Sequence, residues 1–234
     1  MQLTEHLLNH RMDATLGLDT VERSLREQAQ ATIREAILSG RFTAGEKLTE
    51  RQLSELTGAS RSILREALAH LEARGLLIRQ THRGYTVAKL DARSIHEIFE
   101  LRQPVETLAA ELFTERASDR EVAEINAAFE AIASSFQAGD LRKMRTAKEW
   151  FFSVLFTGCR NTEIRKALEN VFDRISYLRI QLLNDSERRK QALIEMGQLA
   201  NALVARDRDA ARNASITHLE SARQALIKQL SKSD

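Results

Sequence analysis

The chain contains one cysteine, one proline and nine glycines in 234 residues. A lone thiol, Cys159, excludes a disulfide framework and a cysteine-based zinc site, and its expected state is burial. With so few helix breakers and much Ala, Leu, Glu and Arg, the chain is expected to be mostly helical. No run approaches the roughly 18 apolar residues of a membrane span. The first residues mix Glu5, His6 and His10 among leucines and lack the continuous apolar core of a signal peptide, so the expected location is the cytoplasm. Charge of one sign is lacking too: 35 Lys+Arg against 33 Asp+Glu leaves +2. Any nucleic-acid partner must then be gripped by a local patch rather than by a bulk field. There is no glycine-rich phosphate loop, no nucleophile elbow and no Asp/Glu/His cluster at helical spacing. These absences argue against an enzyme, a metal-dependent hydrolase included.

What is present is organised around Ser60 to Leu71. Leu64, Ala67, Leu68 and Leu71 fall at i, i+3, i+4 and i+7, one apolar helix face. Arg61 and Arg65 lie one turn apart on another face, beside Ser62. Ser60 is an N-cap and follows the short turn Gly58-Ala59. Before that turn, Thr49-Glu50-Arg51-Gln52 has capping-box spacing, and Leu53 and Leu56 supply a buried side. Two short helices joined by a tight turn make a helix-turn-helix, whose second helix enters the major groove by its N-terminal end. Two segments rich in β-formers follow, Leu76–Gln80 and Tyr85–Lys89, with Thr81-His82-Arg83-Gly84 as a polar turn between them. A first helix is expected from a cap at Asp19–Glu22 to about Leu38, and residues 41–47 read as a loop.

The ordered matches Ser39-Gly40-Arg41-Phe42, Gly45-Glu46-Lys47-Leu48, Ser60-Arg61, Arg65-Glu66-Ala67-Leu68, Leu71-Glu72, Gly75-Leu76, Arg83-Gly84 and Val87 resemble the GntR family of bacterial winged-helix transcription regulators. Carried over by position, the resemblance implies DNA contacts at Arg51, Ser60, Arg61, Ser62 and the wing residues His82 and Arg83. Arg65 is expected on a phosphate. Many members have Thr-Pro after Ser-Arg where this chain has Ser62-Ile63, a departure that bears on the operator sequence. The implied partners are a double-stranded operator with inverted-repeat symmetry and a second copy of the chain.

From residue 94 onward the sequence reads as helix after helix, joined by very short loops, which forces antiparallel neighbours in a bundle. Six helices are expected. The first spans Ser94 to about Arg116, with a kink or break near Leu101–Gln103 before Pro104. Ser118-Asp119-Arg120-Glu121 is a capping box, and Asp140, Asn161 and Asp207 are further caps, with Ser186 or Glu187 opening the fifth helix of the six. The expected fold class is therefore mostly α, an N-terminal winged helix-turn-helix followed by an all-α bundle of six helices. The divisions are 1–19 as an extension, 20–90 for DNA binding and 91–234 for effector binding and dimerisation.

Leu101-Arg102, Val105-Glu106, Ala109-Ala110, Phe151, Leu155, Asn161, Ala202, Asp207, Ala210-Ala211 and His218 resemble the FCD sensor domain of one GntR subfamily. Most such domains hold a divalent metal with one Asp and three His, and the metal grips a carboxylate effector. Here those positions fall on Lys148, Phe152, Met196 and His218, and an ammonium, a phenyl ring and a thioether do not complete such a site. No metal and no other cofactor is expected. Two readings of the interior stay open. In one, Arg102, Lys148, Phe152, Met196 and His218, with Trp150 as further lining, form an apolar pocket with cations for a small carboxylate effector. In the other, Lys148 turns to solvent, Phe152 and Met196 fill the space, and His218 is a satisfied core histidine. The corresponding functions are a ligand-responsive homodimeric regulator, expected to repress, and an architectural DNA-binding dimer without ligand sensing.

Overall fold

The structure is a computed structural model that describes residues 23–80, 84–183 and 185–231. The extension 1–19, the cap expected at Asp19–Glu22 and the wing-tip residues Thr81, His82 and Arg83 lie outside the described residues. The chain divides into two compact units, Met1–Lys89 and Leu90–Asp234.

In the first unit, α1 (residues 23–38) buries Ala29, Ile33, Ala36 and Ile37, one face at helical spacing. Thr49 caps α2 (Glu50–Thr57) through a complete capping box with Gln52. Gly58, at φ 66°, ends α2 in the left-handed region and returns its N–H to the Ser54 carbonyl. Ser60 then caps α3 (Arg61–Ala73), whose buried residues are Leu64, Ala67, Leu68 and Leu71. A three-stranded sheet completes the unit: β1 (Lys47–Leu48), β2 (Leu77–Gln80) and β3 (Gly84–Val87), ordered β1-β3-β2 and antiparallel throughout. The expected loop over 41–47 holds through residue 46, and β1 takes its last residue, Lys47. Two residues are too short for an alternating pattern, and this strand is made by pairing Leu48 with Tyr85 and Lys47 with Thr86. Gly84 sits where they meet; at φ 82° a Cβ there would lie 2.6 Å from the Leu48 carbonyl oxygen, so the close approach requires glycine.

The second unit is six helices: α4 (Ala92–Arg116), α5 (Asp119–Gln137), α6 (Leu141–Gly158), α7 (Thr162–Leu183), α8 (Ser186–Val204) and α9 (Arg208–Leu230). α4 packs along α9, α5 along α6, and α8 against both α5 and α9. The main core gathers Phe113, Ile125, Phe151, Phe152, Phe156, Met196, Leu199 and Leu203. A smaller cluster joins Ile95, Phe99, Leu182, Leu219 and Leu226. Caps at Ser118, Asp140, Asn161 and Asp207 fall where the sequence places them. α8 opens at Ser186, as the sequence places it, and the start of α4 differs. Asp91 caps α4, accepting from the Ser94 N–H at 2.8 Å, so the helix begins at Ala92, two residues before the expected Ser94. Asp185 caps α8 by accepting from the N–H groups of Glu187 and Arg188. α4 runs unbroken through Pro104. The proline is exposed, while Ile98, Phe99 and Arg102 before it and Glu106, Ala109 and Ala110 after it are all buried. Packing on both sides outweighs one missing backbone hydrogen bond.

Candidate DNA interface and helical interior

α3 presents two faces because its apolar residues repeat every three or four positions. With Leu64 and Leu68 turned inward, Arg61, Ser62 and Arg65 are exposed together on the N-terminal half. The Ser60 hydroxyl accepts from the Ile63 N–H and lies 3.1 Å from the Ser62 hydroxyl. Arg65 Nε is 3.5 Å from Glu50 Oε1 on α2. Arg51, also on α2, is exposed and 3.8 Å from Glu55. Ser60, Arg61, Ser62 and Arg65 thus share the capped start of α3, and Arg51 is exposed on α2, while His82 and Arg83 fall in the part not described. The helix N-terminus adds unpaired N–H groups and a partial positive charge, which suit a phosphate or a base edge.

The residues named for the interior of the helical unit have different surroundings. Arg102 is only 2% exposed and forms an ion pair with Glu106 one turn along α4, its Nη2 3.3 Å from Oε2. Its guanidinium carbon lies 4.7 Å from the centre of the Phe99 ring. Trp150, expected among the pocket lining, is 41% exposed. It lines a groove of about 660 Å³ with Ala131, Ser134 and Ala147 between α5 and α6, because Ala147 and Phe151, one helical turn apart, take the inward face and leave Trp150 beside it. Phe152 is buried among Phe151, Phe156 and Phe172, with ring centres 5.7 to 5.9 Å apart. Met196 is fully buried in the same core. Lys148 is half-buried on α6.

His218 is buried on α9, and its Nδ1 is 2.9 Å from Glu195 Oε2. Arg188 donates to both oxygens of the same carboxylate, at 3.1 and 2.9 Å. Burial pushes the Glu195 carboxyl up, but hydrogen bonds from His218, Arg188 and Ser221 outweigh it and hold the pKa at about 2. Burial pushes the His218 imidazole down to about 4; its bond to Glu195 opposes this, and the charges of Lys148 and Arg188 assist it. The short Nδ1 contact alone would also fit an imidazolium. Burial beside two cations favours a neutral ring, which donates Nδ1–H to a carboxylate able only to accept. Glu195 and Arg188 were missed from the sequence. The signal was present: Glu195 stands among Ala192, Met196 and Leu199 on the buried face of α8, and a carboxylate there demands a partner.

These residues do not fit the divalent metal of the resembled sensor domains. Phe152 offers no donor, Met196 is sealed in apolar core, and Nδ1 of His218 is committed to Glu195. No group of three His, Cys, Asp or Glu side chains suited to a metal occurs among the described residues.

A winged helix-turn-helix with an exposed basic face on its second helix, followed by a six-helix bundle, defines a two-unit DNA-binding regulator. Residues 25–87 match the bacterial regulatory proteins of the gntR family and residues 97–221 match the FCD domain. The chain belongs to the GntR family, in its FCD-domain branch, a family of transcription regulators rather than enzymes. It is 29% identical over 188 residues to the uncharacterized HTH-type transcriptional regulator YdhC of Bacillus subtilis, covering 80% of this chain and 84% of that protein. It is 27% identical over 156 residues to the probable D-xylose utilization operon transcriptional repressor of Paenarthrobacter nicotinovorans, covering 67% of this chain and 68% of that one. Its fold matches Escherichia coli McbR/YncC with a TM-score of 0.78 at 20% identity, over 88% of this chain and 98% of that one. No helix among the described residues is long and apolar enough to cross a membrane.

Proposed function

We propose that the chain is a cytoplasmic homodimeric repressor that binds an inverted-repeat operator and responds to a small organic acid. The observation that carries the DNA reading is the joint exposure of Arg61, Ser62 and Arg65 on the capped start of α3. Two symmetry-related copies of that helix demand two symmetry-related half-sites. The repressor assignment draws on the name of the Paenarthrobacter relative. The effector reading rests on Lys148, a half-buried cation close enough to act on the buried His218; its ammonium supplies the charge that a metal supplies elsewhere in the subfamily.

The experiment is a titration of an inverted-repeat operator at fixed salt. Arg61→Ala should lose about 1–3 kcal/mol and relax base preference, whereas Arg65→Ala weakens all sequences alike. A duplex carrying one half-site should bind more weakly than the full repeat. Undiminished binding of the operator by Arg61→Ala would remove α3 as the reading helix. A second reading, an architectural dimer without an effector, is favoured by the closed pairing of Glu195 with Arg188 and His218, which leaves that carboxylate fully engaged.

A further inference from the structure

β2 and β3 pair so that Arg79 stands opposite Tyr85 and Leu77 opposite Val87. Directly opposed residues share a face of an antiparallel pair, and this face is the inner one, since Leu77, Tyr85 and Val87 are all buried. Arg79 lies on that same face one step beyond the buried residues and is itself exposed, while Ile78 between them is on the opposite face and exposed. Beside it opens a cleft of about 590 Å³ lined by Arg79, Gln80, Gly84 and Tyr85 of the hairpin, Arg65 and Ala69 of α3, and Thr49 and Glu50 at the start of α2. Arg65 and Ala69 are one helical turn apart, so the small side chain leaves the cleft open beside the guanidinium. Burial raises the pKa of the Tyr85 phenol, and Arg79, Glu72, Glu50 and Arg65 all lie near enough to act on it. Among the lining residues two guanidinium groups face one carboxylate, a net of one positive charge.

A recognition helix in the major groove and a hairpin reaching toward the adjacent groove straddle one sugar–phosphate strand. That strand must run between them, where this cleft lies. We infer that the cleft between α3 and the β2–β3 hairpin seats the DNA backbone, with Arg79 as a phosphate contact alongside Arg65. This rests on the DNA-binding reading above and adds a contact that the motif residues do not include. Glu50, 3.5 Å from Arg65, orients that guanidinium in the cleft and leaves a single net charge for a single phosphate. Phosphate contacts carry no sequence information, so Arg79 sets affinity and salt dependence and leaves base preference alone.

The test needs no known operator. Binding of the full chain to a short random-sequence duplex is titrated across a series of salt concentrations. Wild type should show a linear fall of log affinity with log salt. Arg79→Ala should reduce the slope by about 0.9 for each copy of Arg79 on the duplex, about 1.8 for the proposed homodimer, so that its affinity falls about 12-fold less over a fourfold rise in salt. Arg79→Lys keeps the charge and should keep the slope. Arg23→Ala removes an equal charge from an exposed site on α1 and should leave the slope as in wild type. An unchanged slope in Arg79→Ala overturns the inference, as does an equal loss in Arg23→Ala, which would trace the effect to bulk charge. A wild-type chain with no salt-dependent binding to any duplex would instead remove the DNA-binding reading itself.

Discussion

Glu195 occupies a place on α8 where an aliphatic side chain would complete the buried face, and it survives there because Arg188 and His218 use both of its oxygens. Removing one member of such a set leaves the others desolvated and unpaired, which costs more than the pairing itself contributes. Glu195→Gln should therefore destabilise the helical unit by about 3–5 kcal/mol at neutral pH, read as a lowered melting temperature. The pH dependence has a definite sign. His218 is held at about 4 against an ordinary 6.5, so the unfolded chain protonates first as pH falls through about 6.5, and stability drops from there to about 4. Glu195 is held at about 2 against 4.5, so its contribution is complete above about 4.5 and is lost as pH falls toward 2. Both act on the acid side. Melting temperature should be level from pH 7 to 8, fall below about 6.5, and fall less steeply between 4.5 and 2 in Glu195→Gln. A profile flat through pH 6.5 to 4 would show that His218 titrates alike in folded and unfolded chains.

Among the elements, those legible in the sequence are the ones whose determinants lie within four residues of each other. Thr49 with Gln52, Ser118 with Glu121, and the caps Ser60, Asp140 and Asp207 each act on a neighbouring N–H, so local spacing suffices. β1 was not legible, because Lys47 and Leu48 become a strand only by meeting Thr86 and Tyr85. The outward turn of Trp150 and the pairing of Arg102 with Glu106 were missed for a related reason. Helical periodicity tells which residues share a face, but the partner of each buried charge is settled by packing. Of the kink or break expected at Pro104, the break does not occur, because a local penalty met long-range burial on both sides. That balance predicts that Pro104→Ala, at an exposed site, restores the missing donor and the better helix propensity. Part of the gain is offset by a more flexible unfolded chain, leaving about 1–2 kcal/mol of stabilisation. A higher melting temperature with unchanged DNA affinity is the expected result; a loss of stability would mean that α4 depends on the proline's local geometry.

At the scale of the whole molecule, a net charge of only +2 gives no strong field to steer or hold DNA, so affinity depends on the geometry of the few cations at α2, α3 and the hairpin. An effector taken up in the helical unit can control such a protein only through a difference in its affinity for the DNA-bound and free forms. Linkage then fixes a reciprocal relation: an acid that weakens operator binding by some factor must itself bind the operator complex more weakly by that factor. With Lys148 as the charge that receives the carboxylate, Lys148→Ala should abolish both halves of this relation while leaving operator affinity without acid intact. A thermal-shift screen of organic acids supplies the candidates, since a ligand that binds only the folded chain raises its melting temperature with concentration. In the same assay EDTA should leave the melting temperature unchanged, because Lys148, Phe152, Met196 and the committed Nδ1 of His218 make no divalent-metal site. Stabilisation by an acid that persists in Lys148→Ala would move the effector elsewhere. An absence of stabilisation by every acid tried would favour the architectural dimer, and about one tightly held transition metal per chain would contradict the reading of all four positions.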